Sequence, residues 1–428
     1  MCGKYFADKA GDTEIAQDSW IIPALGHDWG EITCTWAADY STATATRVCA
    51  HDETHVETET VETTYEIVTP PTATTSGTGR YIATFTNPAF GTQQAEITLP
   101  RIAPAFKTVS ITMSGDLGLN FFVEFPEGID PSGSYITFTV GTTGQDRDDF
   151  DAADFKTGTN GVNRYRFTCH VNALQMADTV TATLYYTVDG QEFTVNKEYS
   201  VKKYISYFEP YFNGEATSPY DDATLKMVKS IADYGHYAQP FLFTFHNVPS
   251  GTYALMPGYT DFYDLDVIRE AVSGYGIERS IENTDIESVS FALSMESETS
   301  IILRLTMKSG AAAPTLTVNG TTLNPGDAGV KLGNQEYLLN AYGTTSEGKA
   351  RYEIRIKNIA AHRLSDVFTV NGDANGAFEI KAVALYYAKY ILSTDASNPY
   401  LNDTDAQNCV AALYTYCEAV KDYIAAGH

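Results

Sequence analysis

Beyond residue 104 the sequence repeats itself at long range. Val109-Ser-Ile-Thr-Met reads like Val289-Ser-Phe-Ala-Leu, and Arg164-Tyr-Arg-Phe like Arg351-Tyr-Glu-Ile. Asp178-Thr-Val-Thr-Ala reads like Asp366-Val-Phe-Thr-Val, and Asp233-Tyr-Gly-His-Tyr-Ala like Thr415-Tyr-Cys-Glu-Ala-Val. The matches stay in order and keep a separation of roughly 180–190 residues, far beyond the 20–50-residue period of solenoids. A duplicated unit of that size is a domain in its own right.

The length of 428 residues accommodates about three domains. The expected fold class is mainly β with helices (α+β) in a multi-domain chain. A small all-β module occupies residues 1–103, and a β-sandwich plus helix pair occupies 104–242. Residues 243–286 are a connector or an extension of the first copy. A second β-sandwich plus helix pair fills 287–428. The formal net charge of −26 repels nucleic acid and anionic lipid, so neither is an expected partner. No apolar run approaches 18 residues, so membrane insertion by a helix is not expected. Tyr and Phe are plentiful and Lys scarce, a balance that suits strands with one wet face.

In the first module, Ile32–Trp36 and Thr44–Val48 flank a turn at Asp39-Tyr-Ser-Thr, a hairpin signal. His55–Val68 alternates until Pro70-Pro71 breaks it, and Gly79–Phe85 and Gln94–Leu99 add strands. In the first copy, strands are expected at Thr108–Met113, Leu119–Phe125, Tyr135–Val140, Arg164–Cys169, Thr179–Thr187 and Glu192–Tyr199, with a turn at Asp189-Gly190. Asp221-Asp222 can cap a helix carrying Leu225, Val228, Ile231 and Ala232 on one stripe, and Val201–Phe208 is a shorter helix before it. The second copy repeats this pair over Ile380–Leu392 and Thr404–Ile424. Tyr263–Val272 has helical spacing.

Gly26-His-Asp-Trp-Gly-Glu, Tyr40-Ser-Thr-Ala-Thr-Ala-Thr-Arg-Val-Cys49, His55-Val-Glu-Thr-Glu-Thr-Val and Thr84-Phe-Thr-Asn-Pro-Ala-Phe90 resemble repeat modules of large cell-surface or secreted proteins of Gram-positive gut anaerobes. Asp233-Tyr-Gly-His-Tyr-Ala-Gln and Ala412-Leu-Tyr-Thr-Tyr-Cys-Glu-Ala are similar to helical endings in the same kind of protein. The resemblance carries no established activity. It implies an extracellular, surface or secreted location and a multi-domain context. It also implies that the first module opens with Cys-x-x-Cys-Gly, of which this chain keeps Cys2-Gly3. The opening Met1-Cys2-Gly3-Lys4-Tyr5-Phe6 reads as a piece cut from a longer chain.

The six cysteines are too sparse for a disulfide-stapled fold. Cys409 and Cys417 are two helical turns apart, about 12 Å, too far to bridge. Cys49-Ala-His-Asp-Glu-Thr-His55 holds the residue types of a zinc site, and Cys2, Cys49, His51 and His55 are the alternative ligand set. Its spacing matches no zinc signature, and strand-like residues flank it, which also removes an H-E-x-x-H reading. A polar loop without metal is expected, with tolerance of chelators. The acidic run Asp146, Asp148, Asp149, Asp151 and Asp154 lacks the EF-hand pattern and reads as a solvated loop rather than a calcium site. Asn371–Gly376 is a turn. Trp20, Trp29 and Trp36 read as core of the first module, and the helix-pair tyrosines as a packing stripe.

No nucleophile elbow, P-loop or dinucleotide fingerprint is present, so no catalytic or cofactor residue and no cofactor is assigned. The expected function is non-enzymatic adhesion or ligand binding to a host or dietary macromolecule, protein or glycan. The alternatives are a spacer presenting another domain and an accessory region of a secreted hydrolase. A ligand is expected on the inserts Gly141–Asn163 and Gly310–Ala350 or on 243–286 rather than on the helix pairs.

Overall fold

A computed structural model describes residues 5–7, 9–10, 12–16, 26–112, 117–141, 143–249, 253–295 and 298–428. The chain divides into two compact units, residues 1–103 and 104–428. It is mainly β, with antiparallel sheets throughout and few helices.

In the first unit, β1 (Tyr5–Phe6) pairs with β2 (Glu14–Ile15). A five-stranded meander follows: β3 (Thr33–Trp36), β4 (Thr42–Val48), β5 (Val56–Thr69), β6 (Gly77–Thr84) and β7 (Thr92–Leu99). The β3–β4 turn has Tyr40 at φ 58° and the Ser41 amide donating to Asp39 Oδ1 at 3.0 Å. The core is small: Ala43, Ala45, Ala83, Phe85 and Phe90, with Cys34, Trp36 and Val61 packed against it.

The first half of the second unit contains β8 (Ala105–Thr112), β9 (Gly118–Glu124), β10 (Tyr135–Val140), β11 (Thr143–Asp149), β12 (Phe155–Thr157), β13 (Asn163–His170), β14 (Val180–Val188) and β15 (Gln191–Tyr199). Helices α1 (Val201–Ser206), α2 (Glu209–Phe212), α3 (Asp222–Phe245) and α4 (Leu265–Val272) come next. The second half contains β16 (Ile277–Ser280), β17 (Ile286–Ser294), β18 (Ser300–Met307), β19 (Thr315–Val318), β20 (Thr321–Leu323), β21 (Val330–Leu332), β22 (Gln335–Thr344), β23 (Ala350–Lys357), β24 (Val367–Asp373) and β25 (Ala377–Val383). It closes with α5 (Tyr386–Ile391) and α6 (Thr404–Ala425).

The two halves share one strand order. Sheets β11-β10-β14-β15 and β12-β13-β9-β8 correspond to β20-β19-β24-β25 and β22-β23-β18-β17, with β16 added beside β25 and β21 beside β22. In the first half the two sheets face one another through Phe121 and Phe138, whose ring centroids are 5.6 Å apart. In the second half the buried residues alternate along β18 and β23, so that Leu303, Leu305, Ile354 and Ile356 point to one side. The β14–β15 hairpin turns on Asp189 and Gly190, both at positive φ as a two-residue turn requires.

α3 begins as its capping residue dictates: Asp221 accepts the Thr224 amide at 2.8 Å. α3 and α6 lie antiparallel along one another, with Lys226 Nζ 2.5 Å from Asp422 Oδ2 and His428 Nε2 2.6 Å from Asp221 Oδ2. Midway, Tyr234 stacks on Tyr416 with centroids 5.7 Å apart and planes 18° apart. These are the matched residues of the repeated motif. A small cavity beside them, about 60 Å³, is lined by further matched pairs: Val171 and Ile359, Ala173 and Ala361, Met176 and Leu364, Ile231 and Leu413.

Residues 243–286 are not a bare linker. Asp233, 2 % exposed, accepts the amides of Tyr259 (2.6 Å) and Thr260 (3.1 Å) and the Thr260 hydroxyl (2.7 Å). Gln239 donates to the Ala173 carbonyl at 3.1 Å and accepts the Met256 amide at 2.8 Å. Farther on, β16 pairs with β25. A Cβ at Gly235 would meet Met256 Cγ at 2.7 Å, so the glycine lets Met256 pack close to the helix.

Two local expectations are corrected. Ile380–Leu392 is not one helix: Ala377–Val383 is a strand and the helix spans Tyr386–Ile391. A short apolar run reads alike for a buried strand and a buried helix. The acidic run is not a free loop, because Thr143–Asp149 is a strand paired with β10.

Candidate functional site

β18 and β23 place Leu303, Leu305, Ile354 and Ile356 inward, so Ile302, Arg304, Glu353 and Arg355 stand on the opposite face. A cleft of about 610 Å³ opens over that face. It is walled by α5, by Phe245 at the end of α3, and by Ile277 and Arg279 of β16. A second chamber of about 280 Å³ shares Phe245, Leu293, Ser294, Tyr387 and Tyr400 with it. These sizes suit a small molecule or a segment of a larger one.

The cleft floor is cationic in a chain of net charge −26. Glu353 accepts from Arg304 Nε at 3.1 Å and from Arg355 Nη2 at 3.1 Å, so one carboxylate serves two guanidinium groups. Tyr342 lies under Arg304 at 4.4 Å and under Arg351 at 4.7 Å. Arg279 is exposed and makes no ion pair among the described residues. The walls are aromatic. Phe291 meets Tyr386 edge-on at 5.4 Å, and Tyr390 lies 6.0 Å from Tyr400. Tyr390 and Phe245 are 45 % and 67 % exposed. Burial, with Tyr400 beside it, pushes the Tyr387 hydroxyl well above the ordinary phenol range, so it is a neutral donor. At the far end, Asp403 caps α6 by accepting the Ala406 amide at 2.9 Å. Among the described residues the lining contains no His or Cys. Such an arrangement can stack on a flat face and clamp an anionic group.

Among the described residues no three carboxylates of the acidic run come together as a metal site. The Asp146 side chain lies outside the described residues. Asp148 accepts the Thr168 amide at 2.6 Å, and burial pushes its carboxyl up. Asp149 pairs with Arg147 at 2.7 Å and Asp154 with Arg166 at 2.8 Å, while Asp151 accepts the Ala153 amide at 2.8 Å. The inserts Gly141–Asn163 and Gly310–Ala350 are largely consumed by β11, β12 and β19 to β22. The helix tyrosines divide: Tyr234 and Tyr416 pack, while Tyr386, Tyr387 and Tyr390 line the cleft.

In the first unit, the Cys49–His55 loop is closed by Cys49 N to His55 O (3.0 Å) and His55 N to Asp52 O (3.0 Å). A bridge between Trp29 and Cys49 lays residues 28–30 beside it, with Gly30 N to Val48 O at 2.9 Å and Ala50 N to Asp28 O at 2.6 Å. The result places His27, Cys49 and His55 together, their ligand atoms all within 4.8 Å of one another. Cys2 lies outside the described residues. His51 is turned away, with Nδ1 3.3 Å from the Gly26 carbonyl oxygen. Burial pushes the Cys49 thiol up, but hydrogen bonds from the His51, Asp28 and Asp52 amides outweigh it and hold the thiol below its ordinary range. His27 stacks on Trp29 at 4.7 Å, and Arg47 covers that indole at 4.5 Å. Trp20 lies outside the described residues.

Cys34, Cys49, Cys169, Cys409 and Cys417 are free thiols. Among the described residues no helix is long and apolar enough to cross a membrane. No protein-family model matches the chain, and no curated protein matches it significantly.

Proposed function

We propose that the chain is a non-enzymatic extracellular surface protein, built from a β module (1–103) and two tandem sandwich-plus-helix repeats (104–242 and 287–428) bridged by 243–286. In this reading it is a module of the cell-surface proteins of Gram-positive gut anaerobes that its sequence resembles. It binds a host or dietary macromolecule, protein or glycan, in the cleft over β18 and β23. The observation that carries this reading is the convergence of exposed Tyr390 and Phe245 with Arg279, which has no ion-pair partner among the described residues, in a cleft of about 610 Å³. Aromatic faces favour sugar rings or apolar side chains, and the arginines favour a carboxylate or sulfate on the same ligand.

The test is a glycan and protein binding screen with the full chain, followed by Tyr390→Ala and Arg279→Ala. Both side chains are exposed, so stability should change by less than about 0.5 kcal/mol. Loss of binding by roughly tenfold or more in each variant, with unchanged circular dichroism, supports the site. A ligand whose binding ignores both variants removes the cleft from the reading. The lengthwise packing of α3 on α6, which stiffens the second unit, favours a second reading as a spacer. A screen without any binder would favour that one.

A further inference from the structure

The first unit holds a convergence that surface binding does not use. Two imidazoles and a buried thiol meet at the mouth of the Cys49–His55 loop, and their ligand atoms lie within 4.8 Å of one another. The His27 and His55 rings meet edge-on with centroids 4.9 Å apart. Among the described residues His27 makes no hydrogen bond, and its ring is held by the stack on Trp29 at 4.7 Å. We infer that His27, Cys49 and His55 are three ligands of a structural zinc-class metal site.

Thiolate with imidazole is a donor set for borderline-soft divalent ions, Zn²⁺ foremost. A tetrahedral ion with bonds of about 2.0–2.3 Å spaces its donors by roughly 3.3–3.8 Å, which side-chain rotations moving the ligand atoms by about 1 Å would reach. The scaffold is already set. Backbone hydrogen bonds close the loop, and the 28–30 strand is pinned to it by the amides of Gly30 and Ala50. Asp52 lies 3.6 Å from His55 Nε2, held by the amide and hydroxyl of Thr54 at 2.9 and 2.7 Å. That places a carboxylate to orient the ring. The need is physical as well: a sheet whose core is three alanines and two phenylalanines buries little apolar surface, and metal is a common remedy in small modules.

The experiment uses the full chain, stripped with EDTA and titrated with Co²⁺. One cobalt per chain should give a thiolate-to-cobalt charge-transfer band and intense tetrahedral visible bands, both bleached by Zn²⁺. Cys49→Ser should remove the charge-transfer band. His27→Gln and His55→Gln should each weaken the metal roughly tenfold or more, and His51→Gln should leave affinity unchanged. Zinc should raise the unfolding midpoint of the first unit, and EDTA should lower it. The site is refuted if the intact chain gives no thiolate band, if the band survives Cys49→Ser, or if His51→Gln weakens binding as much as His27→Gln. The intact-chain spectrum decides even if a variant fails to fold.

Discussion

The two halves of the second unit carry one strand order and two different outer faces. In the first half Asn120, 4 % exposed, links neighbouring strands by donating to Ser110 Oγ at 3.3 Å and accepting from Thr168 Oγ1 at 2.8 Å. Its counterpart by strand register is Ile302, whose neighbours are Arg304, Glu353 and Arg355. The first face closes itself with these hydrogen bonds between strands and with ion pairs, Arg164 to Glu124 at 3.5 Å and Arg166 to Asp154 at 2.8 Å. The second gathers guanidinium groups under a wall of tyrosines. A shared scaffold therefore fixes where side chains stand, and a few outward positions decide whether a face is closed or receptive.

The largest expected effect tests whether the halves behave as one body. Phe121→Ala should cost about 3–5 kcal/mol and Leu303→Ala about 2–5 kcal/mol, since both are fully buried. Urea unfolding should show both substitutions moving the same transition. Two transitions, each answering to only one substitution, would separate the halves.

An intermediate effect concerns matched helix positions with unlike duties. Asp233→Ala leaves the Tyr259 and Thr260 amides without their carboxylate and should cost about 1.5–3 kcal/mol. Thr415 occupies the matched position and, among the described residues, its hydroxyl donates to its own helix, to Ala411 O at 2.9 Å. Thr415→Ala should stay within about 0.5 kcal/mol. Equal losses would mean that the connector contributes nothing through Asp233.

The smallest effect lies where the start of α3 meets the end of α6. Hydrogen bonds from Thr224 and His428 hold the Asp221 carboxyl down at about 2, against an ordinary 3.8. A carboxyl with a depressed folded-state pKa stabilises fully above its unfolded value, and the contribution is lost as pH falls from about 4 toward 2. Asp221→Asn should flatten the dependence of stability on pH in that window alone. An unchanged slope would show that neither the Thr224 cap nor the His428 contact holds the carboxylate in solution.

Much of this fold was legible because β-branched alternation and turn residues mark strands directly. The Asp39, Pro70 and Asp189 breaks fall where strands end, and Asp221 caps the helix it was expected to cap. β11 was not legible, since its acidic residues are held by the Thr168 amide and by Arg147 rather than by apolar alternation. The cleft was not legible either. Phe245, Arg279, Arg304, Arg355 and Tyr390 come from five elements spread along the second unit, so no local spacing joins them. In the Cys/His cluster the sequence suggested Cys2, Cys49, His51 and His55 as the alternative set and left out His27. The Trp29–Cys49 bridge, a nonlocal pairing, brings His27 instead.

The stack of Tyr234 on Tyr416 has a consequence for how the second unit responds to its surroundings. Matched residues of two copies meeting face to face are the hallmark of an isologous interface, the kind that joins identical subunits. Here both partners belong to one chain, and residues 243–286 tie them together. Association is therefore intramolecular, governed by the effective concentration that the tether imposes rather than by the amount of protein present. Dilution, which dissociates an ordinary dimer, should leave this pairing closed, and its melting temperature should not depend on protein concentration.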